Sequence, residues 1–184
     1  MGDFDTLKKT SYAWQNDARE LIGAANVLLS AYEGALASTC VEKPPFEPNE
    51  QSLWRPMMVL YALAAENLLK AIIIARGEDP APSGRLAGWF KNHNLAEHAK
   101  RAKLSFMPRP GLLETLREFI ESGKYPIGID PQSGLRTNQF VYPEYPDTVF
   151  DLLTKLEDDL RTVLPAKTFP ATDLRDICRH SSKS

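Results

Sequence analysis

The sequence predicts an all-α protein, an antiparallel bundle of four to five helices, and three observations carry that prediction. Apolar residues recur at three- and four-residue steps in five separate stretches. Most of these stretches are joined by short connections, as in helical bundles. The helical period vanishes only between Tyr125 and Pro146, where Asp130-Pro131-Gln132-Ser133-Gly134 supplies the turn chemistry of a short hairpin or an ordered loop. A chain of 184 residues, 43% of them hydrophobic, can bury a self-sufficient core. Residues 1–164 read as the bundle and 165–184 as a C-terminal tail.

The elements follow in order. Trp14, Ala18, Leu21, Ile22, Ala25, Leu28, Leu29, Tyr32 and Leu36 line one face of a long helix from about residue 6 to 38. Pro44, Pro45 and Pro48 make the stretch from Val41 to Asn49 a stiff connection, since none fits a helix interior. A second helix starts near Ser52 as N-cap, with Pro56 in its first turn, and Gly77 and Pro80 end it. Trp54, Met57, Met58, Leu60, Tyr61, Leu68, Leu69, Ile72 and Ile73 cover most of its circumference, which places it in the middle of the bundle. Asn94 and Glu97 form a capping-box-like start for a short third helix through about Lys103. Pro110 opens a fourth, with Leu112, Leu113, Leu116, Phe119 and Ile120 as its stripe and Gly123 as its stop. Asp147 caps a fifth, whose stripe is Val149, Leu152, Leu153, Leu156, Leu160, Val163 and Leu164 and which ends at Pro165. In the tail, Thr172 as cap with Leu174, Ile177 and Cys178 at helical spacing signals one more short helix.

The formal net charge of −2 conceals a polarised chain. Residues 85–109 hold Arg85, Lys91, Lys100, Arg101, Lys103 and Arg109 against Glu97 alone, a net +5. Residues 140–160 hold six carboxylates, Glu144, Asp147, Asp151, Glu157, Asp158 and Asp159, against Lys155, a net −5. Such segments face each other in a dimer, meet a phosphate, or are simply solvated faces. The first ten residues carry Asp3 and Asp5 without an apolar core and do not read as a secretory signal, so a cytoplasmic protein is expected. Glu66 and Lys70 interrupt the most apolar window, Met57 to Ala75, at about 3 kcal/mol each in a bilayer centre, so no membrane partner is expected. Cys40 and Cys178, with no CxxC, read as a reduced pair.

Chemistry-bearing patterns are sparse. GxxxxGK[ST], GxGxxG and GxSxG do not occur. His93 and His98, five residues apart, would project about 140° from one another on a helix, so neither a metal site nor a cofactor is expected. Glu66 and Lys70 stand at i,i+4 in the favourable order within an apolar stretch. They read either as an internal ion pair that fixes helix register or as a ligand contact in a groove.

The run Tyr61-Ala62-Leu63-Ala64-Ala65-Glu66-Asn67-Leu68-Leu69-Lys70-Ala71, then His93-Asn94-Leu95-Ala96-Glu97-His98-Ala99, then Gly123-Lys124-Tyr125-Pro126, resembles the order found in HEPN domains. These are helical domains with a Glu-x-x-x-Lys helix, a His-x-Leu helix start and an Arg/Lys-Tyr-Pro corner, and the resemblance covers about residues 57–126. It implies a four- or five-helix bundle that often dimerises, with roles in toxin–antitoxin pairs, antiphage defence, RNA cleavage or ligand binding beside nucleotidyltransferases. The expected function is a binding or interaction module of bacterial type for nucleotide or RNA, in a toxin–antitoxin, defence or stress context. Glu66, Lys70, Arg85, Lys91 and His93 are its binding residues, and a homodimer and a nucleotidyltransferase-like or antitoxin partner are expected with it. Catalytic members carry Arg, a polar residue, three more residues and His, which Arg175-Asp176-Ile177-Cys178-Arg179-His180 matches. The resemblance then implies a metal-independent ribonuclease, with His180 as acid or base and Arg175 steadying phosphate charge. The match lies after Pro165 and Pro170 and is followed by Ser181-Ser182 where the family has an aromatic residue. A third reading is a structural partner protein with no small ligand, its interface on the first helix.

Overall fold

The helix that is apolar on all sides sits at the centre, as its composition requires. The computed structural model describes residues 10–37, 50–123, 129–130, 134–135 and 145–164. Its helices are α1 (Ser11–Ala37), α2 (Glu50–Ala75), the single turn α3 (Gly88–Lys91), α4 (Leu95–Ala102), α5 (Leu112–Gly123) and α6 (Tyr145–Val163), with a turn of 3-10 helix at Pro82–Gly84. The fold is an all-α bundle in which α1, α4, α5 and α6 all pack on α2. Between α5 and α6 a two-residue strand, β1 (Ile129–Asp130), pairs antiparallel with β2 (Gly134–Leu135), Ile129 facing Leu135.

Side-chain pairs fix the helix directions. Tyr32 packs on Trp54, the Tyr61 hydroxyl donates to Asn26 Oδ1 at 2.8 Å, and Lys70 lies against Trp14, so α1 and α2 run antiparallel. The Phe150 ring meets the edge of Tyr61 at 5.0 Å and Asp159 pairs with Arg76, so α6 runs in the direction of α2. Met57, Met58, Leu68, Ile72 and Ile73 are fully buried around the circumference of α2. Each such side chain contributes on the order of 2–3 kcal/mol by leaving water. The window Leu53–Ala75 has the length and apolar content of a membrane span, and 72% of it is buried inside the bundle, the setting of a core helix.

Helix ends follow their sequence signals with some differences. Gly77 (φ +92°) closes α2 in a left-handed turn, with its N–H on Ile74 O and the Glu78 N–H on Ile73 O. Asn94 caps α4, its side chain accepting the Glu97 N–H at 3.1 Å. Lys103 ends α4 in a left-handed conformation, φ 48° and ψ 53°. Helix α2 begins two residues before Ser52, which moves exposed Pro56 into the second turn, where its ring interrupts the hydrogen-bond ladder on the solvent side. Helix α6 begins two residues before Asp147, which therefore lies in the first turn, favoured by the helix dipole, and is not the cap. Residues 6–9, 38, the Pro-rich stretch 41–49, most of the loop from 124 to 144 and the whole tail from 165 lie outside the described residues.

Candidate functional site

The expected site residues divide into a buried cluster and an exposed group. Glu66 and Lys70 project from α2 into one spot, where Lys70 Nζ is 2.5 Å from Glu66 Oε1. His93 reaches the other carboxylate oxygen, its Nδ1 2.8 Å from Glu66 Oε2. The Lys70 ammonium also sits 5.2 Å from the Trp14 ring centroid and 4.8 Å from that of Phe90, and these two rings meet edge to face. Glu66 and Lys70 thus form an internal ion pair, one of the two readings that their spacing left open, with both charges met by hydrogen bonds and ring faces in a buried setting.

His93 owes its position to local turn chemistry. The Asn92 side chain accepts the Asn94 N–H at 3.0 Å, and the Asn94 side chain in turn caps α4, so the backbone between α3 and α4 is pinned on both sides of His93. Its Nδ1 is the ring nitrogen that the Glu66 carboxylate holds. Side-chain exposure is 3% for Glu66, 7% for Lys70 and 27% for His93. The imidazole is the end of this relay that reaches solvent.

His98 plays a different part. It is fully buried, and its Nε2 lies 2.8 Å from the Trp89 carbonyl oxygen, to which it donates. Burial pushes its imidazole below the ordinary value, against the pull of the Trp89 carbonyl, and the nearby Lys70 charge adds to the lowering. The neutral ring ties α3 to α4. The two histidines do not converge, and among the described residues no three His, Cys, Asp or Glu side chains cluster as metal ligands.

Arg85 and Lys91 stand apart from the buried cluster and are exposed, Arg85 just after the 3-10 turn and Lys91 at the end of α3. Other cations are engaged. Arg101 bridges Glu97 and Glu78 and lies over the Trp89 ring, Arg19 and Arg161 meet Glu157, Arg76 meets Asp159, and Arg117 and Lys155 pair along their own helices. Among the described residues, the cations whose side chains make neither an ion pair nor a hydrogen bond are Arg85, Lys91, Lys100 and Lys103, all exposed and all in the segment 85–109.

The acidic segment is solvated in part: Asp147, Asp151 and Asp158 are exposed, and two other carboxylates turn inward. Glu157 and Asp159 in α6 are each 2% exposed. Glu157 Oε1 takes Arg19, the Gln15 side-chain amide at 3.5 Å and Arg161 at 3.8 Å. Asp159 Oδ2 accepts the Ser105 N–H at 3.3 Å and faces Arg76 at 3.6 Å. The basic segment and the acidic helix therefore meet within the chain itself, and Arg109 donates to Thr148 at 3.4 Å farther along. A cleft of about 200 Å³ lies there, with Leu112 and Leu152 among its walls and the Met107 side chain, 91% exposed, at its margin. Sequence patterning missed Trp14, Phe90, Gln15 and Arg19 as partners of buried charge. Glu157 did carry a signal, four residues after Leu153 and three before Leu160 on the apolar stripe. Arg175 and His180 lie outside the described residues, as do Lys124, Tyr125 and Pro126.

Comparison of the chain with protein-family models, with curated proteins and with solved structures finds no match.

Proposed function

We propose that the chain is a HEPN-like binding module that takes RNA, or a nucleotide, on the face formed by Arg85, Lys91, Lys100 and Lys103. The observation that carries the reading is the concentration of partnerless cations in one segment while the bundle's other described cations are matched. Cations already neutralised by carboxylates would have to give up those contacts to meet a phosphate, and these four do not. The meeting of Glu66, Lys70 and His93, the residues through which the sequence resembles HEPN domains, supports the same assignment. As part of this reading the module is a cytoplasmic homodimer of a toxin–antitoxin, defence or stress system, and a nucleotidyltransferase-like or antitoxin protein is its partner.

The test is fluorescence anisotropy of a labelled 20-nucleotide single-stranded RNA at rising salt. Four phosphate contacts predict that log K falls with log salt with a slope of about −3. Replacing Arg85, Lys91, Lys100 and Lys103 by alanine should weaken binding at least about tenfold and flatten that slope. Equal binding by the variant removes this face from the reading. Competition by ATP at equimolar phosphate then separates a nucleotide ligand from a polymer.

A further inference from the structure

We propose that the cleft between the segment 106–112 and α6 receives one unpaired base of the RNA whose phosphates lie on the basic face. The inference rests on the RNA-binding reading above and deepens it, from RNA in general to single strands with a base free to leave the stack.

The cleft has the make-up of a site for one flat group. Its volume is about 200 Å³. Pockets that enclose drug-sized ligands run to roughly 300–1,000 Å³, so this one takes a single group of a larger molecule. Phe106, Met107 and Leu112 line it on one side. On the other, Thr148, Asp151, Leu152 and Lys155 recur at three- and four-residue steps and so share one face of α6. Leu112 and Leu152, 4% and 2% exposed, make its inner end apolar. Asp151 and Lys155, joined at 2.8 Å, are 63% and 50% exposed, so their ion pair is worth little in water and both groups can turn to a ligand. A base matches this mixture. Its face stacks on apolar and aromatic side chains such as Met107 and Phe106, and its edge carries donors and acceptors for Asp151 and Lys155. An aliphatic side chain would use the apolar half alone.

Two further features place the base there. Met107 is 91% exposed, and the prolines at 108 and 110 fix φ just after it, so this polarisable side chain is presented on a stiff segment before a ligand arrives. Three residues separate Lys103 from Phe106, at most about 11 Å of chain. Arg109, which also lines the cleft, has a single long contact, to Thr148 at 3.4 Å. The phosphates on either side of an inserted base then meet Lys103 and Arg109.

The experiment titrates the full chain, by anisotropy, with a labelled 20-nucleotide RNA as a single strand and as a duplex with its complement. The single strand should bind about 5- to 150-fold more tightly, the worth of one stacked base. Met107→Ala removes one side of the cleft and Thr148→Tyr fills it, neither with a change of charge. Each should erase most of that preference and leave duplex affinity, salt slope and thermal unfolding as they are. Irradiation of the strand carrying 4-thiouridine should crosslink it to residues 104–117, the tryptic peptide that holds Phe106 and Met107. Equal binding of strand and duplex, a preference that both variants keep, or crosslinks that all lie outside this peptide overturn the base site while the basic-face reading stands. Failure to bind either form overturns both.

Discussion

Two carboxylates, Glu66 in α2 and Glu157 in α6, are both 2% exposed, yet they are neutralised differently. Glu157 faces the guanidinium of Arg19, with Arg161 beside it, groups that stay charged at any working pH. Glu66 faces an amine and an imidazole. An amine can escape burial by releasing its proton, and an imidazole changes charge near neutrality, whereas a guanidinium can do neither. The Glu157 cluster therefore behaves as a permanent clamp between α1 and α6, and the Glu66 cluster joins α2 to the turn between α3 and α4.

The largest effect should come from breaking the clamp. Glu157→Ala removes the buried carboxylate that faces Arg19 and Arg161, and should cost about 3–5 kcal/mol in urea-induced unfolding. A loss below about 1 kcal/mol would show that the guanidinium finds water or another partner. Glu66→Gln should cost less, about 2–3 kcal/mol, because the Trp14 and Phe90 rings still face the Lys70 ammonium. Replacing Glu66 and Lys70 together by leucine should bring stability back to within about 1 kcal/mol of the native protein. If the double variant is no better than Glu66→Gln, the pair holds the fold by geometry that apolar packing cannot replace.

The smallest effect separates the two histidines. Because burial lowers His98 from its ordinary value of 6.5, the unfolded chain binds a proton that the folded chain refuses between the two values. This residue's contribution is thus constant above about pH 6.5 and is lost as the pH falls below it, by up to about 1.4 kcal/mol per pH unit. His98→Gln should flatten that part of the stability profile. An unchanged profile would assign the acid sensitivity to other groups.

The bundle was largely legible in the chain because long helices repeat their apolar pattern over many turns, as the stripe from Trp14 to Tyr32 in α1 does. The Asn94–Glu97 cap was legible for another reason, since it is a contact between residues three apart. Helix α3, Gly88–Lys91, was not foreseen, because one turn is too short to display a period. Half of the central relay was legible. Glu66 and Lys70 share a helix face, but Glu66 and His93 are 27 residues apart and only tertiary packing joins them. The acidic run of α6 misled by composition, since charge density says nothing of which members turn inward. Two that do, Glu157 and Asp159, are set by their phase relative to the leucines.

The end of α4 carries a consequence for how this surface can change. Lys103 holds a left-handed backbone conformation, φ 48°, that glycine adopts freely and that burdens an L-residue by about 1 kcal/mol. It is also one of the four partnerless cations. Glycine at this position would ease the backbone and take a positive charge from the face, so backbone comfort and surface charge cannot both be optimised at residue 103. A stabilising screen of this protein should therefore select Lys103→Gly, and that choice would weaken the basic surface on which RNA binding is proposed.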